Sequence, residues 1–269
     1  MTSLIGWVAV DARGPSSLYV ASDSRITWGG PTHRWDQGRK VFACLTEAHL
    51  FAYVGAVLFP ALTLPTITER IDRGLLVDDG RGWGVNVHEA VRLLHSDYPA
   101  GQRSDFGILH GYRTGEKMSC RFHLSITKYD AATDSWHVVD LPMPERSSVL
   151  HVDGSGSRAV RDVALLWQQS PSRDTSRAVF GTFHEAVRAG VDPLSGGAPQ
   201  IGGLYRIGSG RTLGVVFDGQ RYFSGTKLVG GENVASIEWR NGLFERVNGK
   251  TRRRLLGAQK HQPRTGADA

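Results

Sequence analysis

Cysteine is scarce in this chain. Cys44 and Cys120 are the two present among 269 residues, too few for a disulfide framework and in keeping with a reducing compartment. The expected location is the cytoplasm. Long apolar runs are missing too, since nothing approaches the roughly 18 residues needed to cross a bilayer. The run from Leu4 to Val10 contains Gly6, has no basic leader and ends at Asp11, so it reads as a strand and not as a signal peptide. Ten histidines include no HExxH pattern and no Cys/His pairing, which removes the usual zinc signatures. No metal and no cofactor is expected. Internal repeats are absent, as is any Pro/Gly/Ser stretch long enough to separate domains.

Charge is uneven. The whole chain carries +6, but residues 249–269, GKTRRRLLGAQKHQPRTGADA, hold six basic side chains against Asp268, a net of +5. The body is therefore nearly neutral, which argues against a nucleic-acid groove. The division predicted is one domain over 1–248 and a basic, flexible C-terminal tail over 249–269.

What the chain has in quantity is short apolar runs separated by turns. SLIGWVAVD and LYVASDSRIT flank a Gly-Pro-Ser-Ser turn, and KVFACLT and HLFAYVGAV flank a Glu-Ala turn, so two hairpins are predicted. Helical periodicity follows Gly55, interrupted by Pro60 and Pro65, and is clearest in NVHEAVRLLHSDY, where Asn86 reads as a cap. DFGILHGYR, FHLSITKYD and WHVVDLP return to strand. RAVRDVALLWQQ and DTSRAVFGTFHEAVRAG read as a second helical pair, the latter running from Asp174 to Gly190. The remaining stretch, LYRIGSGRTLGVVFDGQRYFSG, is strand again. GSGRTLG within it has the wrong glycine interval for a dinucleotide loop and reads as a hairpin turn. Two sheets covered by helices on their outer faces would bury such a set. The expected fold class is α+β, a four-layer αββα sandwich of two mainly antiparallel sheets.

Several polar residues interrupt the strand pattern. Asp23 and Arg25 lie in ASDSRIT, and Lys40 opens KVFAC. A buried acid needs a partner, and a lysine 17 residues later, across one loop, can return beside it. Taken alone, such a pair is a structural ion pair. Ser155 in GSGS, and Asp192 and Ser195 in DPLSGG, taken singly, are turn residues. Thr2 stands behind the initiator methionine and is small enough for Met1 to be trimmed, which would leave a hydroxyl and a free α-amine on one residue.

Thr2, SDSRIT, GRKVF, YVGAV, GSGS and DPLSGG, in this order, resemble the β-type subunits of the proteasome family, threonine-type N-terminal-nucleophile hydrolases. The likeness spans residues 2 to about 230 and leaves the basic tail outside. It implies Thr2 as nucleophile, Asp23 and Lys40 beside it, and Ser155, Asp192 and Ser195 ordering its amine. It further implies the Gly55 amide as the oxyanion donor and Arg25, Ile26 and Thr27 as substrate-binding residues. Tyr53, two residues before Gly55 on one strand, would face the same way and border an apolar specificity pocket. A threonine endopeptidase acting on unfolded polypeptide follows from the likeness, working in a ring or stack of its own copies, with an ATPase or other proteasome-like subunit as a further partner. Neither nucleic acid nor membrane is expected. An amidase acting on a small molecule and a non-catalytic assembly subunit are the rival readings. The first turn, DARGPSS, is longer than is typical of the family, and the loop WGGPTHRWDQGR carries two tryptophans that the likeness does not explain.

Overall fold

A computed structural model describes residues 2–264. In chain order, β1 (Leu4–Asp11) and β2 (Gly14–Ser22) are followed by the short strands β3 (Ile26–Thr27) and β4 (Arg34–Trp35). Then come β5 (Val41–Ala43), β6 (His49–Gly55), α1 (Leu58–Asp72) and α2 (Trp83–Ser96). The middle of the chain forms β7 (Phe106–Thr114), β8 (Arg121–Asp130), β9 (Ser135–Leu141) and β10 (Ser148–Asp153). After α3 (Ser157–Gln168) and α4 (Ser176–Ala189) come β11 (Gln200–Tyr205), β12 (Arg211–Phe217), β13 (Gln220–Phe223), β14 (Thr226–Lys227), β15 (Trp239–Arg240) and β16 (Arg246–Val247).

The first sheet runs β10-β1-β2-β11-β12-β13-β14, with β15 and β16 attached at β12, the second runs β5-β6-β7-β8-β9, and β3 and β4 form a separate two-stranded ribbon. Their pairings are antiparallel except for β12 with β15. Both predicted hairpins form: β1 pairs with β2, and β5 with β6. Alternation along each strand sends side chains to opposite faces. Leu4, Val8, Leu18, Val20 and Leu204 of the first sheet therefore meet Leu50, Ala52, Val54, Leu109 and Leu124 of the second. On its other face the first sheet turns Ile5, Trp7, Tyr19 and Ile201 toward Phe180 and Phe183 of α4. The second sheet turns Phe51, Tyr53, Phe106 and Ile108 toward Leu64 and Ile67 of α1 and Val91 of α2. Each side chain of this size contributes about 1.5–3 kcal/mol when fully buried.

The expected four-layer αββα sandwich is corrected by this structure. Among the described residues the chain is a β-rich fold of mostly antiparallel sheet, 33% strand against 23% helix, with four α-helices. Helices fall short of covering the sheets because α3 buries just Val160 and Trp167, while the short strands β13 to β16 build out the far edge of the larger sheet. Two element boundaries move as well. Asn86 lies inside α2 and is buried, with Gly82 at the cap position. Strand β2 stops at Ser22, before Asp23, because the backbone there turns to bring the Asp23 carboxylate inward.

The basic segment after residue 249 returns to the body. The His261 amide donates to Glu245 Oε1 at 2.7 Å, and Arg264 pairs with Glu185 at 3.2 Å. Among the described residues no helix is long and apolar enough to cross a membrane.

Candidate active site

Four segments meet at the start of β1: the turn after β2, the segment before β5, the turn before α3 and the loop after α4. Asp23 follows the last residue of β2, and its backbone amide donates to the Ser3 carbonyl at 3.1 Å. This fixes its carboxylate against the first residues of the chain. Lys40 precedes β5, its amide bonded to Gln200 Oε1 at 3.0 Å. Gln200 in turn donates through Nε2 to the carbonyls of Asp23, at 3.1 Å, and Gly38, at 2.7 Å. One amide side chain thus holds the Asp23 and Lys40 segments in register.

The side chains converge. Lys40 Nζ donates to Asp23 Oδ1 at 2.9 Å and to Thr2 Oγ1 at 3.0 Å, and all three residues are fully buried. Asp23 also accepts backbone N–H groups from Ser3 at 2.9 Å, Arg25 at 3.2 Å and Gly196 at 2.8 Å. Four donors therefore converge on one buried carboxylate. Burial pushes the Lys40 ammonium down from its ordinary value, while Asp23 beside it acts in the opposite direction.

A second chain of bonds reaches the Thr2 nitrogen, which donates to Ser155 Oγ at 3.3 Å. Ser155 Oγ donates to Asp192 Oδ2 at 2.6 Å, and Asp192 Oδ1 accepts the Leu194 amide at 3.0 Å. Ser195 lies one residue further along and accepts from Ser3 Oγ at 2.9 Å. Thr2, Asp23, Lys40, Ser155, Asp192 and Ser195 therefore share one hydrogen-bonded cluster. The removal of Met1 concerns a residue outside those described.

The expected substrate-binding residues are more dispersed. Arg25 serves the scaffold: its guanidinium grips Asp36 at 2.7 and 2.9 Å and donates to the carbonyls of Pro193 and Ser195. Ile26 is buried against Gly38, and Thr27 pairs with Arg34 across β3 and β4. Tyr53 is fully buried in the cluster facing α1, with its hydroxyl donating to the Arg39 carbonyl at 3.3 Å. Gly55 ends β6 at φ +89°, its Cα against the Asp105 carbonyl, where an added Cβ would come within 2.5 Å. A cavity of about 310 Å³ opens beside it, lined by Val54, Asp105, Phe106, Lys128, His137 and Asp153.

Sequence reading missed Ser3, Asp36, Gly196 and Gln200. Gln200 left a signal, an amide opening the apolar strand QIGGLY. Gly196 acts through its backbone, and Ser3 and Asp36 look like any polar residue beside a strand or in a loop.

No protein-family profile matches the chain, and no curated protein matches it. The chemistry is therefore argued from the cluster itself. A hydroxyl held by a buried ammonium, with the same residue's nitrogen aligned by a serine–aspartate pair, is the arrangement of an activated nucleophile.

Proposed function

We propose that this protein is a threonine-type endopeptidase, in which Thr2 is the nucleophile once removal of Met1 frees its α-amine. The observation that carries the reading is the Lys40 ammonium at 3.0 Å from Thr2 Oγ1. A free α-amine has an ordinary pKa of about 7.7–8.0, so near neutral pH it can take the hydroxyl proton as Oγ1 attacks a peptide carbonyl. The Lys40 charge stabilises the oxygen as it loses that proton, and Ser155 with Asp192 aims the amine. The Gly55 N–H is the proposed donor to the tetrahedral oxyanion, a type of contact typically worth about 2.7–4 kcal/mol. Collapse expels the leaving amine, which receives the proton held by the Thr2 nitrogen, and leaves an acyl ester on Oγ1. Water, deprotonated by the same amine, hydrolyses that ester and restores the hydroxyl. The proposed setting is the cytoplasm, inside a proteasome-like assembly of copies of this chain acting on unfolded polypeptide.

The test joins N-terminal sequencing and intact mass of the purified protein to cleavage of fluorogenic peptides. A chain beginning at Thr2 that cleaves peptides, and a Thr2→Ala variant that does not, are the expected results. Peptide cleavage by protein that retains Met1 throughout would rule the mechanism out. A processed Thr2 with no action on any peptide would instead favour a small-molecule amidase.

A further inference from the structure

Gly55, the proposed oxyanion donor, stands between two different surroundings. In the first sheet β1, which Thr2 precedes, lies between β2 and β10; in the second sheet β6, which Gly55 ends, lies between β5 and β7. On the β2 and β5 side are Asp23, Lys40 and the β3–β4 ribbon that carries Ile26 and Thr27. On the β10 and β7 side the cavity of about 310 Å³ opens. Gly154 shows how near this space comes to the nucleophile. A Cβ built on it would collide with the Thr2 carbonyl oxygen and lie 3.1 Å from Val54 Cγ2, and both Val54 and Asp153, the residue before Gly154, line the cavity. A peptide laid across Thr2 with its acyl half along the ribbon therefore directs its leaving half into this cavity.

The floor of the cavity is apolar, since Val54, Phe106 and Tyr129 are buried. The rim is charged, with Asp105, Asp130 and Asp153 beside Lys128 and His137. Asp105 and His137 are exposed and Asp130 is half-buried, so an entering side chain can touch them. Lys128 is already engaged, its Nζ 2.6 Å from Asp153 Oδ2. Asp105 accepts the Ala131 N–H at 2.8 Å and Asp130 the Thr133 N–H at 3.0 Å, but among the described residues no lysine or arginine pairs with either. Asp105, one residue before β7, and Asp130, the last of β8, stand just outward of the Phe106–Tyr129 pair. Acidic side chains opposite one another on neighbouring strands are an unfavourable pairing, and a cation placed between them relieves it. An anion entering the same space would meet both.

We propose that this cavity receives the side chain of the residue immediately after the scissile bond and selects lysine or arginine there, an inference that rests on the threonine-endopeptidase reading of Thr2. The alkyl stem lies on Val54, Phe106 and Tyr129, and the cationic head lies between Asp105 and Asp130, the division of apolar stem and charged tip that these side chains allow. The substrate class narrows accordingly to polypeptide cut on the amino side of basic residues.

Internally quenched peptides that differ only in the residue after the scissile bond test the assignment, with lysine, arginine, norleucine as the uncharged counterpart of lysine, and glutamate; mass spectrometry of the products fixes the bond that is cut. The lysine and arginine peptides are expected to exceed the norleucine peptide in kcat/KM by about fivefold or more, the gain from a charge-assisted contact, and the glutamate peptide is expected to be the poorest. The lysine-to-norleucine ratio should shrink as salt rises from about 0.05 to 0.5 M, because the contact sits at a solvated rim. Asp105→Asn combined with Asp130→Asn should bring that ratio to within about twofold of unity, the loss of the charge-assisted part of the contact. Cleavage that treats lysine and norleucine alike, or that favours glutamate, overturns this assignment and leaves the Thr2 reading standing. Cleavage of none of the four peptides overturns both. If the double variant does not fold, the two single asparagine variants and the salt series decide: a ratio unchanged in all three rejects the proposal.

Discussion

Lys40 is the residue on which stability and the proposed chemistry pull hardest against each other. Removing one partner of a buried ion pair typically costs about 3–5 kcal/mol, but Asp23 would keep its N–H bonds from Ser3, Arg25 and Gly196. The lower end of that range is therefore expected for Lys40→Met, about 3 kcal/mol, with the fold retained. Peptide cleavage should fall by about 100-fold or more, since the group that stabilises the attacking oxygen is gone. Urea unfolding and peptide turnover, measured on one preparation, separate the two effects; undiminished turnover in a folded variant would reject the role of Lys40. A second residue-scale prediction concerns His49, whose ring lies 2.9 Å from that of His110 inside the second sheet. Burial holds His49 down at about 4 and His110 well below its ordinary value. The unfolded chain binds these protons near pH 6.5 and the folded chain does not. Stability contributed by the neutral rings is thus present above about pH 6.5 and is lost as pH falls toward 4. The His49 shift alone corresponds to about 3 kcal/mol. Denaturant midpoints between pH 7.5 and 4 should fall steeply for the native sequence and less steeply for His49→Phe; parallel curves would contradict the assignment.

Among the structural elements, the loop after β10 controls the position of Thr2. Gly154 has φ +92°, and a Cβ there would collide with the Thr2 carbonyl oxygen, while the Gly156 amide donates to that same oxygen at 3.3 Å. Gly154→Ala is expected to cost about 1–3 kcal/mol in backbone strain and to lower peptide turnover more than stability, because it displaces the residue that attacks. Thermal melting with turnover checks this, and normal values of both would dissociate the loop from Thr2. The sequence made much of this level legible. Period-3.6 patterning marked α2 and α4, and the stop at Gly190 is a left-handed cap at φ +63°. Lys40 and Asp23 stood out because a charged residue next to an apolar strand demands a partner. Strand β10 escaped because SVLHVD is half-buried along most of its length and so lacks a two-residue rhythm. The four-layer expectation overshot because amphipathic spacing shows that a helix can bury a face, not how much of a sheet it covers; α3 is the example. Tyr53 illustrates the same limit, since alternation relates it to Gly55 but cannot say that its face of β6 is the one packed under α1.

At the scale of the whole molecule, the segment after residue 249 and the surface of α1 and α2 make separate demands. Deleting residues 249–269 removes the His261 bond to Glu245 and the Arg264 pair with Glu185, leaving the buried Glu245 with fewer donors. A loss on the order of 2 kcal/mol is expected, which lowers the melting temperature by about 4–8 °C in a domain of this size; an unchanged melting curve would show that these contacts contribute nothing. The proposed assembly has its own physical motive. Leu58 and Leu62 stand one turn apart on α1 with more than half of their surface exposed, and Leu93 on α2 is 66% exposed. Exposed apolar side chains on the outer helices are surface that association can cover. A peptidase that cuts unfolded chains must also be kept from folding intermediates, which a site facing an enclosed interior accomplishes. Light scattering is therefore expected to find a particle of many 29.4 kDa subunits. Leu62→Glu combined with Leu93→Glu should reduce it to smaller species, because each substitution would place a carboxylate in an apolar contact. Fluorogenic-peptide turnover should fall with particle size if neighbouring copies help shape the site around Thr2. A native chain that runs as a fully active 29.4 kDa monomer would rule out the assembly while leaving the chemistry of Thr2 and Lys40 to be judged on its own test.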